Sequence, residues 1–139
     1  MDGLSHLGTA LAALAGPWQI AYALGATLAG IIIGLLPGLS ATLGVALFTT
    51  LTLKMQPTDA ILVLVCVYVG AIYGGSRTAI LLNIPGTAAN AAACLDGNML
   101  ARQGQAGRAM GIATTGSVAG SLFGVVCLAM FTPLLARRR

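Results

Sequence analysis

The chain contains no glutamate, and its only acidic residues are Asp2, Asp59 and Asp96. Charged residues make up 7% of its 139 positions, against roughly 25% in soluble domains. So little charge cannot clothe a water-facing surface, which makes lipid the solvent for much of the chain. With one histidine, His6, and no paired carboxylates, general acid–base and metal-hydrolase schemes lack parts. Cys66, Cys94 and Cys127 are odd in number and widely spaced. They form neither a CxxC pair nor a Cys/His group, which excludes a zinc site and a disulfide framework in favour of packed free thiols. No Walker-type phosphate loop occurs, and Ser76 follows a glycine pair with no histidine at hand. The expectation is a protein that is not an enzyme and holds no cofactor or metal.

Basic residues are also few. The net charge is +4, of which Arg137, Arg138 and Arg139 supply three units. The remaining Lys54, Arg77, Arg102 and Arg108 are scattered without aromatic interleaving, so nucleic acid is not an expected partner. The triplet reads as a cytoplasmic membrane flank and places the C-terminus in the cytoplasm. The first seventeen residues have no Lys or Arg, unlike the positive start of a secretory signal. They read as an interfacial or short leading helix.

What the chain has is apolar length, with 58% hydrophobic residues and 19 glycines. Residues 18–36 form one long run. At 1.5 Å per residue it covers about 28 Å, close to the hydrocarbon thickness of roughly 30 Å. Trp18 and Tyr22 suit an interfacial anchor. Pro37-Gly38 then breaks the pattern, and residues 39–53 read as a re-entrant half-helix or a short, tilted span. Lys54 to Asp59 reads as a turn, with Thr58 or Asp59 capping the next helix. An apolar run over 60–75 ends at Tyr73-Gly74-Gly75-Ser76-Arg77, and a further run over 78–84 is broken by Pro85-Gly86. Residues 88–95 are helical by composition, 96–108 read as aqueous with a turn at Asp96-Gly97, and 110–131 form a last span ended by Pro133.

Two of these breaks resemble each other. One reads Gly34-Leu35-Leu36-Pro37-Gly38-Leu39-Ser40-Ala41-Thr42, the other Leu82-Asn83-Ile84-Pro85-Gly86-Thr87-Ala88-Ala89-Asn90. Each places Pro-Gly after aliphatic residues and before small polar ones. Backbone groups freed at such a break cannot face lipid, where each would cost several kcal/mol. They must face protein or a wet cavity, and half-helix N-termini there offer N–H groups to an anion. Ser40, Thr42, Asn83, Thr87 and Asn90 add side-chain donors. The plainer alternative is a pair of proline kinks that aid packing.

The glycine pair Gly74-Gly75 reads as an unwound stretch or a close backbone approach. Arg77, the only charge between Asp59 and Asp96, reads either as a bidentate partner for a carboxylate or as a side chain snorkelling to the membrane surface. Gly30, Gly34 and Gly38, and likewise Gly116, Gly120 and Gly124, recur every four residues, a spacing that lets helix backbones approach closely.

These stretches also resemble a known family. Residues 34–47 (GLLPGLSATLGVAL), 68–97 (YVGAIYGGSRTAILLNIPGTAANAAACLDG) and 101–113 (ARQGQAGRAMGIA) are similar to the N-terminal part of the large membrane subunit of bacterial tripartite tricarboxylate transporters, the TctA family. The likeness runs over about residues 25–133. It implies an all-α, polytopic helical membrane protein with Pro-Gly-broken helices, sited in the bacterial inner membrane. Residues 1–139 would be a single partial transporter domain, one repeat whose second half is absent.

The function implied is cation-driven symport of tricarboxylates or related carboxylates, alongside a small membrane subunit and a periplasmic solute-binding protein. Sodium held by backbone carbonyls suits the break better than a proton relay, and a second-half chain would complete the carrier. The matching motif positions are the implied substrate or ion lining: Gly34, Pro37, Gly38, Ser40 and Thr42, then Tyr73, Gly74, Gly75, Ser76, Arg77, Asn83, Pro85, Gly86 and Thr87. The rival expectations are a truncated or split fragment with no transport activity alone, or a small structural membrane protein.

Overall fold

The computed structural model describes Gly8 and residues 16–136, with side chains described to Phe131. The leading-helix reading, His6 and the arginine triplet lie outside the described residues. Within residues 16–136, five helices follow one another: α1 (Pro17–Leu35), α2 (Ala41–Thr52), α3 (Pro57–Leu82), α4 (Ala91–Arg102) and α5 (Ala106–Ala136). A 3-10 turn over Ala88–Asn90 leads directly into α4. No strand occurs among the described residues. Three helices, Pro17–Leu35, Pro57–Leu82 and Ala106–Phe131, are long and apolar enough to cross a membrane. The chain is thus a polytopic helical membrane protein. At 12 residues, α2 reaches only about 18 Å and cannot cross alone.

The fold is organised by the seam between α1 and α3. A Cβ added at Gly30 or Gly34 would fall within 3.0 Å of the backbone of Val67 or Ala71. From the other side, a Cβ at Gly70 would lie 2.5 Å from the Thr27 carbonyl oxygen, and one at Gly74 would meet the Ile31 carbonyl. Only hydrogen fits at these four positions. The opposed positions advance together along both helices, so α1 and α3 are parallel. In lipid no hydrophobic drive brings helices together, and close van der Waals packing must supply the attraction. Here α2 returns between them. Gly44 faces Ile33 and Val67, and Phe48 and Met55 pack on Ala26, Val63 and Val67.

Several local expectations are corrected. Gly74 and Gly75 do not unwind: α3 runs through them without a break for 26 residues, because both glycines serve close contact instead. Neither Thr58 nor Asp59 caps α3. Gln56 holds that position without a side-chain bond, Pro57 opens the helix, and Asp59 sits in its first turn. Proline at the first helical position needs no acceptor for the donor it lacks. Asp96 and Gly97 lie inside α4, not in a loop. Gly97 is there because Ile80 Cγ1 would sit 2.8 Å from its Cβ. The polar connection shrinks to residues 103–105, turned by Gly104 at φ +78°. Pro133 does not end the last helix, whose backbone continues to Ala136.

The packing role expected of Gly116, Gly120 and Gly124 is also not realised among the described residues. No atom lies within 4 Å of a Cβ at any of the three, and α5 has no buried residue from Gly111 to Phe131. Gly38 likewise meets nothing; its φ of +92° marks a turn that an L side chain resists.

Gly34→Val should therefore cost about 2–3 kcal/mol by forcing side chain against backbone. Gly25→Val, at a position open for 4 Å, should change stability by no more than about 0.5 kcal/mol. Reversible unfolding of the detergent-solubilised chain in SDS would compare the two.

Candidate functional site

The two Pro-Gly breaks meet. After α1, residues 36–40 leave the helix, and Ser40 opens α2. Its hydroxyl accepts a hydrogen bond from the Leu43 N–H at 3.3 Å, which satisfies one of the donors that every helix start leaves free. After α3, Asn83 adopts the left-handed conformation (φ 59°, ψ 28°) and caps the helix through its N–H to the Ala79 carbonyl. Asparagine tolerates this conformation better than most residues. The chain then folds back along α3 by about two turns, until Gly86 rests on Gly75. A Cβ at Gly86 would lie 2.9 Å from the Gly75 Cα and 3.1 Å from the Gly34 oxygen. Three glycines from three segments thus close one junction.

From there the chain turns again. Asn90 donates its amide to the Ile72 carbonyl at 3.1 Å, and eight residues later Asn98 donates to the Ile80 carbonyl at 3.0 Å. The equal spacing on both helices makes α4 parallel to α3, and hence opposite in direction to α2. The N-terminal ends of α2 and of the 3-10 turn before α4 approach one place from opposite sides.

A cavity of about 320 Å³ occupies that place, lined by Ser40, Ala41, Thr42, Tyr68, Ile72, Thr87, Ala88 and Ala89. Its size falls at the lower end of the range for small-molecule sites. The Ser40 and Thr42 hydroxyls are 2.6 Å apart. Thr87 Oγ1 is buried with no hydrogen-bond partner among the described residues. The Ala41, Thr42, Ala88 and Ala89 N–H groups belong to the first residues of helical segments, where no intrahelical acceptor exists. Hydroxyls and such N–H groups suit an anion, and the wall opposite is α3 with Tyr68 and Ile72.

The expected lining residues divide into four groups. Ser40, Thr42 and Thr87 reach the cavity wall. Gly34, Gly74, Gly75 and Gly86 are buried in the helix seam and the glycine junction. Pro37, Gly38, Asn83 and Pro85 shape the two turns and are exposed. The remaining three stand apart on the face of α3 toward α5. Arg77 donates to Thr114 Oγ1 at 2.7 Å and to the Met110 carbonyl at 3.2 Å, and its guanidinium lies 4.2 Å from the centre of the Tyr73 ring. Tyr73 OH is 3.5 Å from Thr114 Oγ1, and Ser76 returns its hydroxyl to the Tyr73 carbonyl at 2.7 Å. The contacts of Arg77 fasten α5 to α3. Sequence reasoning did not single out Tyr68 and Ile72 as lining residues, although both lie within the 68–97 stretch. Their spacing of four on an α3 face was the available signal.

Arg77→Ala should weaken the α3–α5 contact by about 1.5–3 kcal/mol, the scale of hydrogen bonds to a charged donor. Thr114→Val should add little on that background. A double-mutant cycle on SDS unfolding would reveal the coupling.

The comparisons with known proteins agree with this architecture. The profile of the "Tripartite tricarboxylate transporter TctA family" matches residues 20–139. An uncharacterized 52.8 kDa protein in the TAR-I ttuC' 3' region of Agrobacterium vitis is 35% identical over 136 residues, covering 98% of this chain. The chain spans 27% of that relative's length. No solved structure matches.

Proposed function

Because the chain belongs to the tripartite tricarboxylate transporter TctA family, we propose that it forms the substrate-binding core of a secondary carrier for di- or tricarboxylates. The supporting observation is that residues of both Pro-Gly breaks line one cavity. A carboxylate placed there would accept from the free N–H groups at 41, 42, 88 and 89 and from the Ser40 and Thr42 hydroxyls. Each such bond to a charged group contributes about 1.5–3 kcal/mol, and the two helix starts add favourable dipole ends. Thr87, held without a partner, is a further donor within the same wall. Pro37 and Pro85 keep the breaks open by withholding the donor that a continuous helix would use.

The finer reading follows the family. The carrier would sit in the bacterial inner membrane, work with a small membrane subunit and a periplasmic solute-binding protein, and be driven by a cation gradient. Sodium is the favoured ion, held by backbone carbonyls at a break. The chain would carry out no covalent chemistry. The substrate would need only to be held and released as elements move about the fixed site. A second reading, that this stretch is inactive without further chain, is favoured by the open sides of α5. Alternating access needs a partner element for the site to move against.

Labelled-citrate uptake into vesicles under a sodium gradient tests both readings, with the chain alone and with the partner subunits and the remainder of a homologous carrier. Thr42→Val combined with Thr87→Val should lower uptake by the complete system at least tenfold while membrane insertion is retained. Unchanged uptake in the double variant would overturn the site. Uptake by the chain alone would overturn the reading of an incomplete unit.

A further inference from the structure

We infer that Asn90 is a positioning residue, one that sets the separation of the two broken segments across the cavity without itself meeting the substrate. The functional consequence rests on the carboxylate reading above; the geometry does not.

Asn90 closes the 3-10 turn whose preceding residues, Thr87, Ala88 and Ala89, form one wall of the cavity. It is 5% exposed. Its amide does not point to a ligand: Nδ2 donates to the carbonyl of Ile72, a residue of the facing wall. A single bond of 3.1 Å therefore ties the second break to α3. That carbonyl lies inside the unbroken α3, so the bond is additional to the helix's own pattern.

The fit around the amide is tight. A Cβ on Gly75 would stand 2.6 Å from Asn90 Nδ2 and 3.3 Å from the Gly86 Cα. Gly75 is thus the notch that admits both the asparagine amide and the returning backbone. Asn90 is buried and bonded across 18 positions, so its location is fixed by both packing and a hydrogen bond. The carboxamide also suits the setting because it is neutral. A carboxylate of the same shape would lose the donor and oppose a carbonyl oxygen in a medium of low dielectric.

Asn90→Asp removes the donor while keeping the volume. Two readouts follow in the chain reconstituted in lipid nanodiscs. First, spin labels at Thr42→Cys and Ala88→Cys, with Cys66, Cys94 and Cys127 replaced by alanine, report the gap by dipolar broadening. The expected result is lost broadening in Asn90→Asp with helix content unchanged. Second, labelled citrate binding to the unlabelled chain should weaken at least tenfold. Asn90→Ala carries the same readouts where the aspartate variant fails to insert. Broadening unchanged in an inserted variant overturns the positioning role. Lost broadening together with no citrate binding by the parent chain upholds the positioning role and overturns the carboxylate reading.

Discussion

Backbone touching backbone between α1 and α3 is the contact on which the rest depends. Gly30, Gly34, Gly70 and Gly74 present no side chain at the four closest points of that seam. In water such a surface would be a poor one, since glycine buries little apolar area. In lipid the comparison is different, because the tails already solvate leucine as well as another leucine does. Shape and proximity then decide, and glycine allows the nearest approach. With α1 and α3 fixed side by side, the ends of both are brought level. The first break and the second can meet only because Gly34 and Gly75 stand opposite Gly86.

The second consequence is the arrangement of polar backbone. A chain in lipid must pair its N–H and C=O groups internally. The first N–H groups have no intrahelical acceptor where the two short helical segments begin. One runs away from the cavity in the direction opposite to α3, the other along it. Their starts are the places where a membrane protein can hold unpaired donors at little cost, because each faces protein or a cavity rather than hydrocarbon. Nearby amides are used differently. Asn90 and Asn98 are spent on α3 carbonyls, and Arg102 Nε donates to Asn98 Oδ1 at 2.8 Å. Those groups hold α4 in place.

The spans and the two breaks were legible in the sequence because they depend on local properties. Apolar length gives the helices, and Pro-Gly interrupts any helix wherever it falls. Ser40, Thr42 and Thr87 follow the breaks directly, so their place at the cavity was also within reach. What escaped depends on partners far along the chain. The close approach offered for Gly74-Gly75 holds, but its partners, Ile31 and Asn90, are not local. Asp96-Gly97 resembles a turn until Ile80 is seen to fill the space beside Gly97. The link from Arg77 to Thr114 and Met110, which accept its hydrogen bonds, joins residues more than thirty positions apart. The Gly116 spacing is the reverse case: the pattern is present, and no described residue packs against it.

The parallel pairing of α1 with α3 also sets an order of events in biogenesis. The residues that face Gly30 and Gly34 follow them by roughly forty positions. At synthesis rates of about 5–20 residues per second, α1 waits some 2–8 s in the bilayer before its counterpart emerges. During that interval the glycine groove of α1 lies open to lipid and to any other small-residue helix nearby. The helical hairpin with α2 is available sooner, and it covers part of α1 through Ile33 and Gly44. The short helix can therefore settle on α1 through Ile33 before α3 arrives, while the glycine groove stays reserved for α3.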